Sequence, residues 1–132
     1  MKIRVISSQD EIETIENEEI VHITFRPSNK DILKLVQKCP NLKAMHVSNS
    51  HNKTISKLSM MLLKMHNILL LEGDVWGHRK DIHEYYEIDP SIFDKIELLK
   101  NEGKSKDEIV YTLRLKTRLS KDLITFLVTT HL

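Results

Sequence analysis

Few residues in this chain make sharp turns or carry rings. Three Gly, three Pro, one Trp, three Tyr and three Phe are all that 132 residues contain. With so little glycine, no glycine-rich phosphate loop occurs, and no nucleophile elbow either. A single cysteine, Cys39, excludes an internal disulfide and any paired-cysteine zinc pattern, and it suits a reducing cytosol. Long apolar runs are missing too. Met60–Leu71 is broken by Lys64, His66 and Asn67, and a bilayer span needs about 20 apolar residues. No signal-peptide pattern opens the chain, which begins at once with a strand-like segment. Net charge is only +1, so bulk charge attracts no polyanion. These features describe a cytoplasmic globular protein large enough to bury a core without staples.

The first part of the chain repeats. Four segments read as strands, 2–7 (KIRVIS), 19–25 (EIVHITF), 42–48 (LKAMHVS) and 68–74 (ILLLEGD). Aligning Ile3, Val21, Met45 and Leu69 gives offsets of 18, 24 and 24. Helical patterns fill the intervals. Ser8 with Glu11 forms a capping-box pattern, Ile32, Leu35 and Val36 repeat with helical period, and so do Ile55, Leu58, Met61, Leu62 and Met65. Such alternation predicts an α/β fold: a short parallel sheet in sequential order, with helices mainly on one face, followed by a helical C-terminal segment. In this phase Ile3, Val5, Val21, Ile23, Met45, Val47, Leu69 and Leu71 share an apolar face. Arg4, His22, Thr24, His46, Ser48 and Glu72 then lie on a half-polar second face, which stays open or partly covered by the C-terminal helices. The two parts divide at 1–88 and 89–132.

Ligands of parallel sheets bind beyond the carboxyl ends of the strands. Those ends carry Arg26, Ser28, Asn29 and Lys30, then Asn49, His51 and Lys53, then Trp76, His78 and Arg79. This cationic edge, with helices starting beside it, is the candidate ligand-binding site for an anionic or nucleic-acid partner. Gly73 and Gly77 would turn the last loop and lay Trp76 across the edge. The plainer reading gives Ser and Asn to helix caps, leaves Lys solvated and makes Trp76 a lid on the core. His22 and His46 hold equivalent repeat positions and are expected to be neighbours. His78 and His83 are five apart, so the spacing of four that a helical zinc site uses is absent, and no metal or cofactor is expected. Cys39, before Pro40 at a helix end, reads as a small buried hydrophobe.

Beyond Asp89 the pattern is helical. Asp89 caps and Pro90 opens one helix, which stops at Gly103; Ser105 and Glu108 cap a second; a third covers roughly 120–129. Arg114, Arg118 and Lys121 form a basic stripe, the candidate nucleic-acid contact. The run from Leu98 through Gly103, Ser105, Glu108 and Ile109 resembles the first two helices of many helix-turn-helix modules. About three extra residues before Leu119 and Ser120, and an apolar final helix, depart from that pattern and weigh against insertion into a major groove. The final helix is expected to pack on the sheet or on another subunit.

The segment Cys39-Pro40-Asn41-Leu42 leading into Met45–Ser48 resembles the turn of leucine-rich α/β repeats. Phe25–Ile32 (FRPSNKDI) and Leu70–Ile82 (LLEGDVWGHRKDI) resemble a small archaeal family, typical of methanogens, of unknown function. That resemblance implies a cytoplasmic archaeal protein and supplies no catalytic residue. The residues thus support a non-catalytic binding module that uses the strand-end edge. Two alternatives stand beside it. One is an enzyme acting on a small phosphorylated molecule there, with His51 or His78 as acid-base group. The other is a protein-interaction adaptor using the open sheet face. A homo-oligomer is compatible with each.

Overall fold

A computed structural model describes residues 1–75 and 84–131. Four strands, β1 (Lys2–Ile6), β2 (Ile20–Ile23), β3 (Ala44–Val47) and β4 (Leu69–Glu72), pair in parallel and in sequence order. A fifth, β5 (Tyr85–Glu87), joins β1 antiparallel, giving the order β4-β3-β2-β1-β5. The sequence pattern did not suggest β5. It closes the β1 edge, and the residue before it partners a buried cation at one end, leaving Arg4 Nε without a hydrogen-bond acceptor among the described residues. Arg4 donates from Nη1 to Glu84 Oε2 at 3.0 Å, and its guanidinium lies 5.5 Å from the Tyr85 ring centre.

One face of the sheet carries the crossovers: a 3-10 helix (Gln9–Thr14), α1 (Asn29–Lys38), the short α2 (Asn49–Asn52) and α3 (Lys57–Met65). Ile12, Ile32, Leu35, Val36 and Leu63 pack there on Ile6, Val21, Ile23, Met45 and Val47. α1 starts where Ser28 Oγ accepts from the Asp31 N–H and Asp31 Oδ2 accepts from the Ser28 N–H, a reciprocal cap. The Ser8–Glu11 pattern yields a looser start. The Ser8 side chain makes no cap, and Glu11 instead accepts from the Ser7 N–H at 3.0 Å. α3 turns a different side inward from the one its apolar pattern indicates. Ser59 and Leu63 are buried, while Leu58, Met61 and Met65 are 61%, 60% and 75% exposed. The reason is a tertiary contact. Ser59 donates to Asn29 Oδ1 at 2.6 Å, which holds α3 to α1 through a small polar residue.

The other face is not open. α4 (Pro90–Asn101), α5 (Lys106–Lys116) and α6 (Lys121–Thr130) cover it, and Ile92, Ile96, Ile109, Leu113, Leu123, Ile124 and Leu127 share a core with Ile3, Ile20, Ala44 and Leu71. The expected phase of the sheet is therefore corrected in two strands. Val21 pairs with Arg4 rather than Ile3, and Met45 with Leu70 rather than Leu69. Ile3, Val5, Leu69 and Leu71 thus share the face of His22 and His46. Strands buried on both sides lose the alternation that would have fixed their phase. An adaptor reading based on an open sheet face has no such face to use.

Truncation should separate the two kinds of apolar residue. Leu127→Ala, at a fully buried site in the second core, should cost about 3 kcal/mol. Met65→Ala on the exposed side of α3 should leave the urea midpoint nearly unchanged. Equal losses would contradict the packing of α6 on the sheet.

Candidate functional site

The pairing of β2 with β3 sets His22 opposite His46. Their ring centres are 4.8 Å apart and their Nδ1 atoms 2.7 Å apart, a hydrogen bond between imidazoles. Both are buried, beneath the helices rather than on an exposed surface. Two further groups extend the chain of contacts. His46 Nε2 lies 3.1 Å from Ser120 Oγ, and His22 Nε2 lies 3.7 Å from Asp74 Oδ1. A carboxylate only accepts, so Asp74 favours the proton on His22 Nε2. His22 Nδ1 then accepts from the His46 Nδ1–H. His46 Nε2 is left as an acceptor for the Ser120 hydroxyl, which itself accepts from the Leu123 N–H as the cap of α6. The His46 Nδ1–H and the Ser120 hydroxyl each find an acceptor in the series, while Asp74 stands at ion-pair distance from His22. Burial is the main reason that the His46 pKa falls to about 4; Asp74 and Asp122 pull it up by less. His46 is therefore neutral at neutral pH, as its acceptor role needs.

Two backbone features bring Ser120 to the sheet. Asp122 Oδ2 accepts from the Glu72 N–H at 2.8 Å, which anchors the first turn of α6 to the end of β4. Gly73 follows directly. A Cβ there would sit 2.2 Å from Ser120 Cβ and 2.7 Å from His46 Nε2, so only glycine allows the approach.

An open cleft of about 790 Å³ lies over this junction, lined by Ser48, Asn49, Ser50, Lys53, Thr54, Gly73, Asp74 and Ser120. A recess of about 350 Å³ next to it shares Thr54 and adds Arg26, Pro27, Ser28, Asn29 and Ser56. The strand-end residues thus divide. Asn49 and Lys53 line the cleft; Arg26, Ser28 and Asn29 line the recess. Several are occupied structurally: Ser28 caps α1, Asn29 Oδ1 accepts from Ser56 and Ser59, and Arg26 Nη2 donates to the Thr54 carbonyl at 3.4 Å. His51 Nδ1 is 2.9 Å from Ser48 Oγ. Lys30, next to Asn29 in the first turn of α1, lines an adjoining apolar groove with Leu33, Leu58 and Leu62. Trp76, His78 and Arg79 fall outside the described residues. Cys39 is buried, donates from Sγ to the Glu16 carbonyl at 2.9 Å, and has its pKa raised chiefly by burial. Ser120 and Asp74 had no sequence signal as partners of the histidines. The contact joins positions 74 residues apart in the chain.

A second concavity, about 490 Å³, runs between α5 and α6 and is lined by Lys106, Asp107, Val110, Tyr111, Arg114, Lys121 and Thr125. Among the described residues, no carboxylate stands within ion-pair distance of Lys106, Arg114, Arg118 or Lys121. Arg118 is exposed in the α5–α6 connection and does not line the groove. α6 turns Leu123, Ile124, Phe126, Leu127 and Val128 inward, leaving Lys121 and Thr129 on its outer side.

Two measurements test the junction. Gly73→Ala must push α6 from the sheet and should lower stability by about 1–3 kcal/mol; an unchanged midpoint would contradict the close approach. The acid response follows from His46. Its folded pKa of about 4 is below the unfolded value of roughly 6.5, so the unfolded chain takes up the proton first. Stability should be full above about pH 6.5 and fall by on the order of 3 kcal/mol toward pH 4. In His46→Gln that slope should flatten. A variant with the same slope from pH 6.5 to 4.5 as the parent would show that His46 titrates normally.

Among the described residues no helix is long and apolar enough to cross a membrane, and no three His, Cys, Asp or Glu groups converge to hold a metal ion. No curated protein and no solved structure matches the chain. Two family models do. Residues 2–84 match the N-terminal domain of a family of unknown function, DUF1699, and residues 91–129 match its C-terminal HTH domain. With β1–β4, their crossovers and nearly all of the three closing helices inside those two matches, the chain belongs to the DUF1699 family.

Proposed function

We propose that the protein binds nucleic acid along the basic groove between α5 and α6, through phosphate contacts. The observation that carries this reading is the cluster of Lys106, Arg114 and Lys121 in one groove, with no ion pair among the described residues to occupy them. Cations held without a carboxylate partner are available to phosphate. Tyr111, 64% exposed beside them, offers a ring on which a base can stack. The family's C-terminal HTH assignment supports the same part of the chain. The mode differs from the usual one. A recognition helix enters the major groove, whereas α6 has its broad apolar side on the sheet. Contact falls on the outer rim of α5, the α5–α6 connection with Arg118, and Lys121. Affinity then comes from backbone phosphates, with little base selection.

Charge reversal at Arg114, Arg118 and Lys121 together should abolish retention of duplex DNA in a gel-shift titration. In milder Ala variants, the slope of log affinity against log salt should fall by about 3. Melting temperature should hold, since no internal ion pair of these residues is removed. Full binding by the reversed variant would dismiss the proposal.

A second reading concerns the strand-end cleft, which we propose holds a small anionic ligand. Lys53 in the cleft and Arg26 in the recess support it, as do the N-termini of α1, α3 and α6 at the same end of the sheet. Inorganic phosphate should raise the melting temperature of the parent protein and not of a Lys53→Ala, Arg26→Ala variant; equal shifts in both would end this reading.

A further inference from the structure

We propose that Ser120, His46, His22 and Asp74 form a catalytic relay, with Ser120 as a nucleophile that hydrolyses a small carboxylic ester bound in the strand-end cleft. The inference rests on that cleft being a ligand site, and it moves the chemistry away from His51. Three observations converge. Ser120 Oγ both lines the cleft and lies 3.1 Å from His46 Nε2. The two imidazoles share one proton across 2.7 Å, and Asp74 stands 3.7 Å from the far nitrogen. Gly73 removes the side chain that would otherwise separate Ser120 from His46. Ser120 is partly exposed, so a ligand in the cleft can approach it.

The steps balance. Ser120 Oγ attacks the ester carbonyl carbon, and its proton passes to His46 Nε2. The positive charge that results is shared across the histidine pair and stabilised by ionised Asp74, which keeps its charge. The carbonyl π pair moves to oxygen, beside the first-turn N–H groups of α6, which have no intrahelical acceptor. As that pair returns, the C–O bond to the alcohol breaks, and the alcohol leaves with the proton from His46. Water then attacks acyl-Ser120 by the same route, giving the acid and free Ser120. An ester plus water becomes an acid plus an alcohol, and no oxidant or metal takes part. Lys53 on the cleft wall favours an ester that carries an anionic group.

The test uses the full chain and an uncharged alkyl fluorophosphonate. Attack on phosphorus forms an O–P bond and expels fluoride, and peptide mass spectrometry locates the adduct. The expected adduct is on Ser120, with labelling about a hundredfold slower in His46→Gln. Ser120→Asn keeps a capping side chain for α6 and should remain folded by circular dichroism without taking the label. No adduct on Ser120 in the folded parent would overturn the relay. So would equal labelling of Ser48 and Ser50, or parent-rate labelling in His46→Gln. The probe has no anionic group for Lys53 or Arg26, so its result stands apart from the phosphate shift. Labelling without a phosphate shift removes only the anion preference, and a phosphate shift without labelling removes only the relay.

Discussion

The approach of α6 to the carboxyl end of β4 is the contact on which the other features depend. It is made by three adjacent devices: the Asp122 carboxylate on the Glu72 N–H, the missing side chain at Gly73, and Ser120 against His46. Without it, His46 Nε2 would lose Ser120, at a cost of roughly 1–3 kcal/mol if it stayed buried and unsatisfied. With it, His46 is bonded at both ring nitrogens, and the helices can dry that face. The second core, from Ile3 across to Leu127, follows from the same docking.

This docking also decides what the HTH-type region can do. A free three-helix module would present its last helix to DNA. Here that helix is a structural wall, with five of its ten residues buried. Charge that would accompany base reading is displaced outward, to Lys106, Arg114, Arg118 and Lys121. On the proposal made above, contact would then be with phosphate backbones more than with base edges. The polar strand-end cleft sits at the N-terminus of the same helix, where Ser120 serves as helix cap and as partner of His46. A ligand in the cleft and a polyanion on the outer groove would meet opposite ends of one short structural link.

Much of this was legible in the residues. The 24-residue offset between Val21 and Met45 gave the parallel order and set His22 beside His46, and the Asp89 and Ser105 caps marked helix starts correctly. What failed did so where local pattern carries no information. Leu69, Leu70 and Leu71 are all apolar, so no alternation could fix which of them faces inward. α3 shows an apolar stripe through Leu58, Met61 and Met65, but the side turned inward was chosen by a Ser59–Asn29 hydrogen bond formed only in the fold. The histidines were placed on an open face because their polarity suggested water. They are instead buried, bonded to each other and to Ser120, with Asp74 at ion-pair distance from His22. Contacts between residues 46 and 120 have no footprint in a periodicity. Three-residue β5 lay beside the Tyr pair without an alternating pattern to announce it.

Amide hydrogen exchange of the full chain, with and without a duplex DNA, tests the central claim most directly. The account predicts that the amides of Leu123–Val128 are strongly protected in the free protein and stay so on binding. New protection should be confined to the outer rim around Tyr111, Arg114 and the 117–120 connection. Rapid exchange along α6 in the free protein, or loss of its protection against the sheet when DNA binds, would contradict a docked α6 and return it to the role of a recognition helix.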